Sequence, residues 1–165
     1  METSSVTRGA EYDTVLGILD EGRTRAWLAV NAAMIESYES VGAWLSRKSR
    51  EEGWDPSHLD ALSRVLVTQN WGVLSVSARN LMSMKAFHEV WSKAGGIPPK
   101  ARMLSWECHL VLLEHCATHR MRCKFLDAAV EGRWSAKELE ARIRAQVAGR
   151  RRGTPNKSPY KSPNK

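Results

Sequence analysis

At 165 residues, 42% hydrophobic and 26% charged, the chain is long enough to bury a core without staples, and its make-up is ordinary for a globular protein. No apolar run approaches membrane-spanning length, METSSVTRGAEYD lacks a signal peptide's apolar segment, and three cysteines suit reduced thiols, so a cytoplasmic, non-membrane protein is expected. The net charge of +7 is concentrated: residues 150–165 hold six Lys or Arg and no acid, against 19 basic and 18 acidic residues in 1–149.

Residues 1–10 carry no periodicity and are expected to be disordered. From Tyr12 a helical pattern takes over, and Trp27, Val30, Met34, Tyr38, Val41 and Leu45 recur at three- and four-residue spacings along one stripe. Gly53, Trp54 and Asp55-Pro56 end that helix and start another, with Asp55 as cap and Leu59, Leu62, Val65 and Leu66 on its buried face. WGVLSV is a link, the one place besides the stretch near Met103 where a short hairpin would fit. Ser77 then opens a third helix with Leu81, Met84, Phe87, His88 and Trp91 in register. SKAGGIPPKARML reads as a loop from its glycines and prolines. Ser105 caps an apolar helix, and two more follow, the last opened by Ser135 and Glu138 at capping-box spacing. The fold class is all-α: a helical domain over 11–149 and a disordered basic tail over 150–165.

Several words of this chain occur together, in order, in one family: VNAAMIESYESVGAWLS, GW at 53–54, SARNLMSMKAFHEVW, LSWECHLVLL and GRWSAKELEARI. Across residues 24–146 the chain resembles the N-terminal domain of the bacterial DUF1016 (YhcG-like) proteins. The resemblance implies a DNA-associated helical domain of helix-turn-helix or winged-helix type, in a phage-defence or restriction setting. In the family that domain precedes a PD-(D/E)xK nuclease. Here Cys108 stands where the family word has a histidine, and the chain stops where the nuclease would begin. No carboxylate–lysine arrangement for holding a metal replaces it, so no catalytic residue, metal or cofactor is assigned.

The helix pair 56–70 and 77–91 has the layout of a helix-turn-helix, whose second helix enters the major groove. Its first turns would present Ser77, Arg79, Asn80, Ser83 and Lys85: arginine for guanine, asparagine for adenine, serine and lysine for phosphate. The alternative reading of Arg79 and Asn80 is a cap or interhelix bridge. The cluster Cys108, His109, His115, Cys116, His119 and Cys123 has no zinc-finger spacing and is read as core and caps. Among the seven tryptophans, Trp27, Trp44, Trp91, Trp106 and Trp134 are expected in the core, and Trp54 and Trp71 at the surface.

The tail TPNK-SPYK-SPNK repeats a hydroxyl residue, proline, a variable residue and lysine, and resembles S-P-K-K-type minor-groove binders of histone tails. With Arg150, Arg151, Arg152, Lys157, Lys161 and Lys165 it would anchor on duplex phosphates. The Trp27–Leu45 stripe suits a coiled-coil seam, hence a homodimer reading two half-sites. The expected function is therefore a non-catalytic DNA-binding protein. The alternative is a protein-interaction subunit serving a separately encoded nuclease or other defence component.

Overall fold

The structure is a computed structural model that describes residues 4–69 and 75–152. It contains α1 (Ser4–Glu52), α2 (Pro56–Val67), α3 (Ala78–Ser92), a 3-10 turn (Pro99–Met103), α4 (Trp106–His115), α5 (His119–Gly132) and α6 (Ala136–Arg152), with no strand among the described residues. The expected all-α class is met.

Where helices begin is set by single side chains that satisfy otherwise orphaned backbone N–H groups. The Asp55 carboxylate accepts from the N–H of Ser57 and His58, with Pro56 at the first helical position. Ser77, Ser105 and Thr118 accept from Asn80, Cys108 and Met121 in the same way. Ser135 and Glu138 close a reciprocal box, Ser135 N–H donating to Glu138 Oε2 at 2.8 Å and Glu138 N–H to Ser135 Oγ at 3.3 Å. At the far end of α5, Arg133 takes the left-handed conformation (φ 51°) that usually falls to glycine.

Two expected boundaries move. Residues 4–10, expected to be disordered, are helical, because nothing from Ser4 onward stops a helix: the first proline of the chain is Pro56. Likewise α6 runs through Arg152, three residues into the segment expected to be tail. The remainder of that tail, and residues 70–74 with Trp71 and most of the WGVLSV link, lie outside the described residues.

The core forms where the second half of α1 lies against α3, with α2 beside them and α4 beneath. Gly42 makes this approach possible: a Cβ there would lie 2.1 Å from the carbonyl oxygen of Met84. Ile35, Tyr38 and Leu45 from α1 meet Leu81, Met84, Phe87 and Trp91 from α3. Phe87 and Tyr38 both pack on Trp106, at centroid distances of 5.4 and 4.6 Å. Val65, expected on the buried face of α2, is 63% exposed, since only Leu59 of that helix is fully covered. The loop 92–104 turns at Gly95 and Gly96 (φ 92° and 112°) and is held by buried polar groups. Asn31 donates to the carbonyls of Arg102 and Leu104, both at 2.8 Å, and His109 Nε2 donates to that of Ala101 at 2.8 Å. Burial pulls the His109 imidazole down to about 4, so it is neutral and built into the core.

Candidate nucleic-acid interface

The expected DNA-facing side chains lie on the first turns of α3, and their placement follows from how that helix is capped and packed. Ser77 uses its hydroxyl on the Asn80 N–H. Asn80 is turned inward and buried, its amide donating to the Ser75 carbonyl at 2.6 Å and its Oδ1 accepting from Trp106 Nε1 at 2.7 Å. Both halves of the amide are thus spent, and Asn80 cannot read an adenine edge; it ties α3 to α4. This corrects the expected role in favour of the interhelix bridge.

Ser83 donates back to the carbonyl of Arg79 within the helix. Lys85 pairs with Glu89 at 3.1 Å, and Glu89 also accepts from Ser46 of α1 at 3.1 Å. That attachment to the edge of the α1–α3 seam outweighs the burial of Glu89 and holds its carboxyl below the ordinary value. Of the five residues, Ser77 and Arg79 are exposed, and Arg79 makes no ion pair among the described residues. The helix pair also departs from a helix-turn-helix in its link: Thr68–Ser77 is ten residues, where that motif uses a turn of three or four.

Around Arg79 the outward surface of α3 is mainly apolar. Met82, 46% exposed, and Ala86 line a shallow groove of about 500 Å³ with Leu110, Leu113 and Glu114 of α4. Such a surface suits a protein side chain better than a phosphate. The basic residues expected to hold the duplex backbone divide in the same way: Arg150, Arg151 and Arg152 form the end of α6, and Lys157, Lys161 and Lys165 lie outside the described residues.

The histidine–cysteine cluster is dispersed. Cys108 and Cys116 are buried and burial pushes both thiols up, Cys116 to about 11. His115 faces Glu140 of α6 at 3.5 Å, while His119 and Cys123 meet on α5 at 3.3 Å. Cys108 donates to the Trp134 carbonyl at 3.8 Å.

The expected dimer seam is also divided. Tyr38 and Leu45 are spent in the chain's own core, and Met34 and Val41 are half-buried against it. Trp27 and Val30 remain 52% and 58% exposed. Trp44 is likewise partly open and packs edge-on against Trp54, which is half-buried rather than free. Trp91 and Trp106 are core residues as expected. A further apolar run, Tyr12, Val15, Leu16 and Leu19, lies outside the expected stripe and is exposed throughout; its i, i+3, i+4, i+7 spacing is the signal that marks it in the sequence.

These features define a helical domain with a closed core at one end of α1 and an uncovered helical arm at the other. The chain belongs to the family of the DUF1016 N-terminal domain, whose model matches residues 14–150. Comparison with curated proteins gives no match, and neither does comparison with solved structures.

Proposed function

We propose that this chain is a non-catalytic interaction subunit, recruiting or regulating a separately encoded nuclease or other effector, and held on duplex DNA by its basic C-terminal segment. The observation that carries this reading is the outward surface of α3: one arginine set among Met82, Ala86, Leu110 and Leu113, with Asn80 turned into the core. A partner's apolar side chains would enter that groove, with Arg79 and Glu114 at its edge to fix register. The DNA contribution comes from charge. Six cations with no acid among residues 150–165 give affinity for phosphates without choice of sequence.

Direct base reading by α3 is the second reading, favoured by the exposure of Arg79 on its first turn. Salt-dependent binding to duplexes of unrelated sequence separates the two. The full chain should bind all of them alike, with log K falling against log salt at about −0.9 per phosphate engaged. A chain ending at residue 149 should lose that binding. If the shortened chain still prefers one duplex over another, and Arg79→Ala removes the preference, α3 reads bases and the interaction-subunit reading is wrong.

A further inference from the structure

The uncovered half of α1 has a geometry of its own. Tyr12, Val15, Leu16, Leu19, Trp27 and Val30 fall at positions 0, 3, 4, 7, 15 and 18 of one helical register, with Ala26 at 14, and so share one face. They are 52–64% exposed, and together leave roughly 700 Å² open, close to the ~800 Å² per partner of a specific interface. Three glycines, Gly9, Gly17 and Gly22, lie in this arm, and a Cβ added at any of them would meet nothing within 4 Å. Each weakens a helix by about 0.5–1 kcal/mol relative to alanine. Most helical stability in proteins comes from packing of an amphipathic face rather than from propensity, and these glycines lower the propensity further.

The spacing of the apolar residues, symmetric about Glu21, identifies the occupant. Glu11 and Asp13 lie near one end with Arg8, and Arg23 and Arg25 near the other with Asp20 and Glu21; Asp20 is paired with Arg23 at 2.5 Å, which leaves Arg25 as the cation for a second copy. A second arm laid antiparallel and centred near Glu21 brings Asp13 of each copy within about a turn of Arg25 of the other. The same register sets Tyr12 against Val30, Val15 against Trp27 and Leu16 against Ala26. The face is therefore self-complementary, as a two-fold interface requires.

We infer that two copies of this chain associate through the arm, antiparallel, with Tyr12, Val15, Leu16, Leu19, Trp27 and Val30 forming the seam. The seam lies N-terminal to the Trp27–Leu45 stripe and shares only Trp27 and Val30 with it. Two-fold pairing places both α3–α4 grooves and both basic segments on one particle. It is independent of the interaction-subunit reading, because it requires neither DNA nor a third protein.

Sedimentation equilibrium of the full chain, without DNA, tests it. Wild type should show twice the chain mass at tens of micromolar, and Leu16→Glu/Leu19→Glu should raise the dimer dissociation constant at least about a hundredfold. Both positions are exposed, so the tryptophan fluorescence melt of the core should keep its midpoint, which separates lost association from lost folding. Arg25→Glu and Asp13→Arg should each weaken self-association, and mixing the two variants should restore a dimer. A single-chain mass for wild type at ~100 µM would overturn the inference, as would a dimer unchanged by Leu16→Glu/Leu19→Glu. Failure of the charge-swapped pair to recombine would overturn the antiparallel arrangement.

Discussion

The two halves of α1 belong to one uninterrupted helix yet have opposite fates. From Asn31 to Glu52 it is clamped by α3 and the 3-10 turn, and the residues turned inward are Asn31, Ile35, Tyr38, Gly42, Leu45 and Ser46. From Tyr12 to Val30, Tyr12, Val15, Leu16, Leu19, Trp27 and Val30 face outward, on a face rotated away from the buried one. Three of the six inward residues are not large hydrophobes at all. Close approach of another backbone selects Gly42, a hydrogen bond to Glu89 selects Ser46, and loop carbonyls select Asn31. An apolar stripe along a helix therefore marks a surface that needs a partner, without saying whether that partner is the same domain.

This contrast can be broken by mutation. The largest difference is expected between Leu45→Ala and Leu16→Ala: the first removes a fully buried side chain and should cost about 3–4 kcal/mol in urea unfolding. The second removes an exposed one and should change the stability of the unassociated chain by less than about 0.5 kcal/mol. Asn80→Ala should cost about 2–3 kcal/mol, because it leaves the Trp106 N–H and the Ser75 carbonyl without their partner. If Asn80→Ala instead left the urea midpoint unchanged and weakened DNA binding, the bridge would be the wrong role for it. Next come two glycines on the same helix. Gly42→Ala should destabilise by about 2 kcal/mol, since the added methyl meets the Met84 carbonyl. Gly17→Ala, with open space around it, should stabilise the arm by about 0.5–1 kcal/mol, read as higher helicity. Equal effects at the two glycines would remove the distinction between the halves.

Much of the fold was legible because its signals are local. Asp55-Pro56, Ser77, Ser105 and the Ser135–Glu138 pair act on N–H groups two or three residues away, and each lies where the pattern placed it. Leu81, Met84, Phe87 and Trp91 read correctly because α3 is buried on one strongly apolar face. The site was harder to read. Asn80 in a first turn looks the same to sequence whether it faces a base or a tryptophan 26 residues away, and only tertiary packing decides. The Trp27–Leu45 stripe has the right period but mixes residues from the buried and open sides of the helix. Counting apolar side chains gives no weight to a buried asparagine, glycine or serine, and these fix the true face.

Hydrogen exchange along α1, measured at several protein concentrations, tests most directly whether the arm is a pairing surface. Amides from Asn31 to Glu52 should be protected at every concentration, because the chain's own core covers them. Amides from Tyr12 to Val30 should be weakly protected at nanomolar dilution and gain protection as concentration rises through the dimer range. Protection of Tyr12–Val30 that is independent of concentration, whether high or absent, would contradict pairing through this arm.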